Sequence, residues 1–252
     1  MLVIDEKKVM LAGDWHESYN QAAHVSMTAK YSGISTIIQL GDFGIWGGSR
    51  GKNFLDELQK MLQACSQTVY FVDGNHEEFP ELYKYPLNKD GVRPIRENII
   101  HLPRGYVFKL GSSYALALGG AYSIDRGYRT EGKDFWAAET ITDKDVERAI
   151  ASSRKYKIRY MFTHDSPSSA PNLIVDNVAE QERARKNIGE EHLSGAQANR
   201  ELLDKVYTQV KPELIAHGHY HRHWHLKAPH GMILSLDEGK ASTMRHTYTL
   251  EV

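Results

Sequence analysis

Thr36-Ile37-Ile38-Gln39-Leu40-Gly41-Asp42 decides how the 252-residue chain is read. Its first five residues are mostly β-branched or aliphatic, and the run halts abruptly at Gly-Asp. A short apolar run bounded by a turn signal predicts a buried strand that empties into a polar loop. Four other stretches follow the same plan. Val9–Ala12 leads into Gly13-Asp14-Trp15-His16, and Thr68–Val72 into Asp73-Gly74-Asn75-His76. Arg159–Phe162 leads into Thr163-His164-Asp165, and Glu213–Ala216 into His217-Gly218-His219-Tyr220-His221. Between and after them, 18–31, 53–65, 142–153 and 194–208 have helical character; Phe54, Leu55, Leu58, Met61 and Leu62 form one apolar face of the second. Strand, polar loop and helix in alternation predict βαβ units. The stretch 99–118 reads as two or three antiparallel strands, and the tail 223–252 as β-rich. In open α/β sheets ligands gather at the carboxyl ends of the strands. All five polar clusters lie there.

Bulk properties narrow the function. With 31 Lys and Arg against 32 Asp and Glu, the formal net charge is −1, so no overall positive field recruits nucleic acid or an anionic membrane. One cysteine, Cys65, cannot form an internal disulfide and sits in an expected helix, where it is a poor nucleophile. No apolar run approaches the roughly 20 residues of a membrane-spanning helix, and charges interrupt the N-terminal residues. These features predict a cytoplasmic protein without membrane partners, built as a single domain over 1–252. The 13 histidines stand out, because imidazole is the commonest metal-binding side chain.

Read together, the polar loops are D-x-H, G-D, G-N-H-E, a lone His and G-H-x-H. Carboxylate, amide oxygen and imidazole form a mixed donor set suited to Mn, Fe or Zn. Residues two apart on an extended loop project to one side, which would let Asp14 and His16 share an ion and His219 and His221 reach one site. The glycines before Asp14, Asp42, Asn75 and His219 permit tight turns and close backbone approach.

The ordered set of motifs from Gly13 to His221 resembles the calcineurin-like metallophosphoesterase superfamily. The resemblance implies a four-layer α/β/β/α sandwich, two central mixed β-sheets flanked by helices, with two divalent metal ions (Mn2+, Fe2+/3+ or Zn2+). It implies that Asp14, His16, Asp42 and His221 bind one ion. Asp42 as a bridge, with Asn75, His164 and His219, would bind the other. It places His76 beside the metals to steady the phosphate or protonate the leaving group. Gly119–Ser123 also resembles a loop of some bacterial and phage members. The implied mechanism is in-line attack of a water that two cations activate.

Members that act on phosphoproteins carry G-D-x-x-D-R-G, whereas here the run is Gly41-Asp42-Phe43-Gly44-Ile45-Trp46-Gly47. Ile45 and Trp46 replace the acidic and basic groups of that motif, which argues against a protein phosphatase. The expected substrate is a small phosphodiester, with cyclic nucleotides as candidates. A nucleotide phosphomonoesterase, a compact nuclease and a metal-free protein-binding scaffold are the alternatives, in that order. Arg126 and Arg129, after the 119–123 loop, are candidate phosphate contacts and Tyr122, within it, a candidate substrate contact, against the plainer reading of surface arginines and a packed ring. Trp15 and Trp46 read first as core residues, with stacking on a base as the alternative. His217, Asp73 and Asp165 read as neighbours that support ligands rather than as ligands. The charged segment 176–192 reads as an exposed insertion, with a lid as its functional alternative.

Overall fold

The computed structural model describes residues 1–170, 186–239 and 243–252. The strands are β1 (Val3–Ile4), β2 (Lys8–Ala12), β3 (Thr36–Gln39), β4 (Thr68–Phe71), β5 (Arg93–Arg96), β6 (Ile99–His101), β7 (Tyr106–Leu110), β8 (Ser113–Leu118), β9 (Ile158–Thr163), β10 (Leu214–His217), β11 (Trp224–Ala228), β12 (Gly231–Ser235) and β13 (Thr247–Glu251). The helices are α1 (Tyr19–Tyr31), α2 (Gly48–Cys65), α3 (Phe79–Leu82), α4 (Asp143–Ser153), α5 (Glu190–Val210) and α6 (Thr243–His246). They surround two mixed sheets, ordered β13-β2-β3-β4-β6-β5 and β1-β7-β8-β9-β10-β12-β11.

Strand alternation explains the four layers. Along β2, Met10 and Ala12 face α1 and α2, where they meet Val25, Leu55 and Leu58, while Val9 and Leu11 face the other sheet. In β8 and β9 the pattern is mirrored. Ala115, Ala117, Tyr160 and Phe162 enter the space between the sheets, and Leu116, Leu118 and Met161 pack outward on Val146, Ala149, Leu203 and Val206 of α4 and α5. Strands covered on both faces read as nearly continuous apolar runs, which is why these were so visible.

Several boundaries differ from the sequence reading. Helix α2 starts at Gly48 rather than at 53, because Gly47-Gly48-Ser49-Arg50-Gly51 looks like loop by composition. Gly51 is required in that first turn, since a Cβ there would lie 1.8 Å from the Trp46 carbonyl oxygen. Within 99–118 only β7 and β8 are antiparallel neighbours. β6 runs parallel to β4 in the other sheet, and the chain crosses between sheets at 102–105, where Leu102 N–H donates to Phe71 O and Gly105 N–H to Ala117 O. Of the segment 176–192, only 186–192 fall among the described residues.

Arg104 stabilises that crossing. Its guanidinium donates to Asp73 Oδ2 at 2.8 Å and to the carbonyls of Ala138, Glu139 and Thr140 at 2.8–2.9 Å. Burial would raise the Asp73 carboxyl, but Arg104 and His101 overcome it and hold the group below the usual carboxylate range. Asp73 thus contributes stability above the pH at which an unfolded Asp titrates, about 3.9, and loses it as pH falls. Arg104→Ala should lower urea-unfolding stability by about 3 kcal/mol at pH 7, the scale for orphaning a buried charge. The deficit relative to the parent should narrow below about pH 4, as Asp73 takes up a proton. An equal deficit at both pH values would contradict this role.

Candidate metal centre

Loops after β2, β3 and β4 of the six-stranded sheet and after β9 and β10 of the seven-stranded sheet bring their polar side chains together. His221 Nε2 lies 3.0 Å from Asp14 Oδ2 and 3.1 Å from His16 Nε2, and His16 Nε2 is 3.8 Å from the same carboxylate oxygen. Beside this group, His164 Nε2 lies 3.3 Å from Asp42 Oδ1 and 3.0 Å from Asn75 Oδ1. Asp42 faces both groups, because its Oδ2 is 3.8 Å from His16 Nδ1 and 4.0 Å from His76 Nε2. One donor atom each from Asp14, Asp42 and His164 also fall within 4.8 Å of one another. A cation about 2.1 Å from each ligand places neighbouring donors roughly 3.0–3.4 Å apart. The spacings of His221 to Asp14 and His16, and of His164 to Asp42 and Asn75, are of that size and the others are up to about an ångström or more wider, so the cluster is compatible with bound metal.

The expected side-by-side projection from extended loops is not how this convergence arises. His16, Asp42, His219 and His221 all have left-handed backbone, with φ of 47°, 52°, 70° and 51°. Such conformations are costly for non-glycine residues and persist where the surroundings enforce them. His219 and His221 consequently part company. His221 joins Asp14 and His16, whereas the His219 ring packs on His164 at 4.9 Å between centroids. Two glycines make the approach possible. A Cβ on Gly41 (φ +95°) would lie 2.4 Å from His164 Nδ1, and one on Gly218 would lie 2.1 Å from Asp14 Oδ1.

Supporting contacts aim the ligands. His219 N–H donates to both oxygens of Asp14 at 3.1 and 3.2 Å, and the N–H groups of Asn75 and His76 each donate to Asp42 Oδ1 at 2.8 Å. His164 Nδ1 donates to Leu40 O at 2.7 Å, which turns Nε2 toward the cluster. Four residues whose function the sequence reading did not single out complete the frame. Gln39 reaches Gly13 O and Gly41 O, linking the first two loops. Glu77 accepts N–H groups of Phe43, Gly44 and Ile45 at 2.8–3.0 Å. Asp165 accepts Tyr220 O–H at 2.6 Å and Asn199 Nδ2–H at 2.7 Å, so the two histidine loops share one buried acceptor. A glutamine inside an apolar strand and the last residue of G-N-H-E were the available signals for Gln39 and Glu77. Tyr220 and Asn199 carried none.

Electrostatics follow the burial. Asp14 and Asp42 are 0% and 1% exposed. Burial opposes ionisation of Asp42, but His164 and His76 beside it hold its carboxyl well below the usual range. Burial alone would push His164 down, yet the Asp42 carboxylate outweighs it and carries the imidazole up to about 10. Desolvation pushes His219 and His217 down to about 4. His221 is raised by its hydrogen bond to Asp14.

Other expected site residues spread around this cluster. The Arg129 guanidinium lies across His76, with Nη1 and Nη2 each 3.2 Å from a ring nitrogen, and is anchored to Asp125 at 2.6 Å. Arg126 pairs with Glu139 at 2.8 Å and covers the Tyr122 ring at 3.7 Å, while Tyr122 Oη meets His192 Nδ1 at 3.0 Å. Both form the wall behind Ser123, whose hydroxyl accepts from Asn75 Nδ2. Trp15 is buried against Phe43. Trp46 is half-buried at a cleft.

The family model for calcineurin-like phosphoesterases matches residues 7–223, spanning all seven expected ligand positions. The chain belongs to the calcineurin-like phosphoesterase family. Solved structures agree on the fold. A dimetal phosphatase from Danio rerio superposes with a TM-score of 0.60 at 15% identity, covering 99% of this chain and 93% of that one. The protein TT1561 of Thermus thermophilus gives 0.60 at 10% identity, covering 97% and 98%. A search of curated proteins returned no match. Membership brings metal-dependent hydrolysis of phosphoesters as the reaction class and a dinuclear centre as its usual site, with which the Asp/His cluster is compatible. Among the described residues no helix is long and apolar enough to cross a membrane.

Because His164 keeps its proton up to about 10 and a ligating imidazole must be neutral, metal binding at pH 8 should release a proton from it. Calorimetric titration of the chelated protein with Mn2+, in buffers of different ionisation enthalpy, should show a release that His164→Ala removes. A buffer-independent heat would contradict the assignment.

Proposed function

We propose that this protein is a small-substrate phosphodiesterase. It holds one divalent ion with Asp14, His16, Asp42 and His221 and a second with Asp42, Asn75, His164 and His219. Oxygen and imidazole donors in this mixture suit Mn2+, Fe2+/3+ or Zn2+. Such ions, when bound, would supply activation of water and neutralisation of the non-bridging phosphate oxygens.

The observation that carries the diester reading is the shape around His76. One cleft of about 430 Å3 is lined by Asp42, Asn75, His76, Ser123, Asp125, His219 and His221. Another of about 410 Å3 is lined by His16, Glu17, Trp46, Gly47, Arg50 and His76. His76 is the one residue common to both linings. A phosphomonoester has one substituent to house, whereas a diester has two, diverging from a tetrahedral phosphorus. Two clefts meeting at the same imidazole provide for both.

The chain's own groups divide the remaining work. His76 is pushed down by burial, with Asp42 opposing and Arg129 assisting, so its neutral ring keeps one N–H for a substrate oxygen. Ile45 and Trp46 stand where related sequences have an acid and a base, and Arg129 with Asp125 supplies the charged neighbours of His76 instead. Arg129, lying across His76, is a candidate contact for a phosphate oxygen. The same reading takes 1–252 as one catalytic domain acting on a small molecule in a reducing compartment, because a net charge of −1 gives little hold on a polynucleotide.

Two outcomes are expected of the metal-loaded protein. Its kcat/KM for bis(4-nitrophenyl) phosphate should exceed that for 4-nitrophenyl phosphate; the reverse order would favour the monoesterase. His76→Ala should lower turnover by roughly 100-fold, the scale of removing one hydrogen-bond donor to the reacting phosphate, with metal content by elemental analysis unchanged. Loss of metal in that variant would move His76 into the ligand set.

A further inference from the structure

Asn75 ends in a carboxamide, whose oxygen can face a cation and whose NH2 cannot. A half-turn about the last side-chain bond exchanges the two, so a ligand of this kind needs something to set its direction. Here Oδ1 lies 3.0 Å from His164 Nε2, within the cluster, and Nδ2 donates to Ser123 Oγ at 3.0 Å. Asn75 and Ser123 are 3% and 1% exposed, so protein groups, not bulk water, decide how the amide turns. Ser123 closes the loop Gly119–Ser123, which lies directly against the turn that carries Asn75. Gly120 N–H donates to Asp73 O at 2.8 Å, and a Cβ on Gly119 would lie 2.4 Å from the same carbonyl oxygen. On its other side the loop is held by Glu139, which is fully buried. Ala121 N–H donates to the Glu139 carbonyl at 3.0 Å and Ser123 N–H to its Oε1 at 2.9 Å, where Arg126 also pairs at 2.8 Å.

We propose that Ser123 is a positioning residue for the metal centre, seated by Glu139 so that the Asn75 oxygen faces the cation. The proposal rests on the reading of Asn75 as a ligand. A hydroxyl can accept from an amide NH2 or donate to an amide oxygen, so Ser123 by itself would hold either orientation. Glu139 removes that ambiguity, because a carboxylate accepts only. Burial raises the Glu139 carboxyl, while the Ser123 N–H, the Arg126 guanidinium and the Ser123 hydroxyl draw it down. A hydroxyl proton turned toward Glu139 leaves the Oγ lone pairs for Asn75 Nδ2. The amide oxygen is then left to point into the cluster. Ser123 thus works through the Asn75 amide, as outer partners of ligating side chains do in other metal sites.

The test is Mn2+ binding to the chelated full chain, read by calorimetry as two affinities and without any turnover. Ser123→Ala removes the acceptor and should weaken one of the two ions by about tenfold or more, the scale for losing a contact that orients a ligand. Asn75→Asp separates orientation from packing, since a carboxylate presents an oxygen whichever way it turns. Adding Ser123→Ala to Asn75→Asp should therefore change Mn2+ affinity by less than about threefold, the non-additivity expected when one residue acts through the other. Two ions held equally by the parent and by Ser123→Ala, or the same loss in both backgrounds, overturns the role of Ser123 alone. If the parent itself takes up fewer than two ions, the reading of the centre fails, and the role of Ser123 falls with it.

Discussion

Burying two carboxylates side by side is the constraint from which the rest of this structure follows. Asp14 and Asp42 sit at the ends of adjacent strands with essentially no access to water, and among the described residues their ion-pair partners are all histidines. Uncompensated, two such charges would be expelled or protonated. Backbone N–H groups of Asn75, His76 and His219 offset part of the cost, and the proton that Asp42 keeps on His164 offsets another part. Divalent ions meet the same demand more completely. The left-handed backbone at His16, Asp42, His219 and His221 is costly local geometry that the surrounding loops enforce.

The layered fold supplies the rigidity to hold that arrangement. Because each sheet is covered on both faces, strand ends are fixed relative to one another by packing on three apolar layers. Polar ties then transmit that rigidity into the loops. Gln39 joins the β2 and β3 loops, Glu77 gathers the turn after Asp42, and Asp165 joins the β9 and β10 loops through Tyr220 and ties them to α5 through Asn199. Arg104 anchors Asp73 immediately before Gly74-Asn75 and links it to the 138–140 backbone. Each of these residues touches something other than a candidate ligand's donor atom, yet each sets where a ligand points.

Much of this was legible in the residues because two strong signals coincide. Apolar runs such as Thr36–Leu40 announce doubly covered strands, and the Asp, Asn and His residues that follow them announce donors at strand ends. What periodicity could not convey was local conformation. His219 and His221, two apart, read as neighbours on an extended loop, whereas left-handed turns send them to different sides of the cluster. The glycine-rich start of α2 concealed the helical turn that presents Trp46. Arg126 and Tyr122 read as substrate contacts from their place after the 119–123 loop; the Glu139, Thr140 and His192 groups that engage them lie 13 to 70 residues away in the chain.

The central claim is that two cations lie between these five loops with Asp42 shared between them. Anomalous diffraction from crystals of the Mn2+-loaded protein tests it most directly. Two peaks roughly 3.5–4 Å apart are expected, one against Asp14, His16 and His221 and the other against Asn75, His164 and His219, with Asp42 touching both. A single peak, or peaks elsewhere on the surface, would contradict the account.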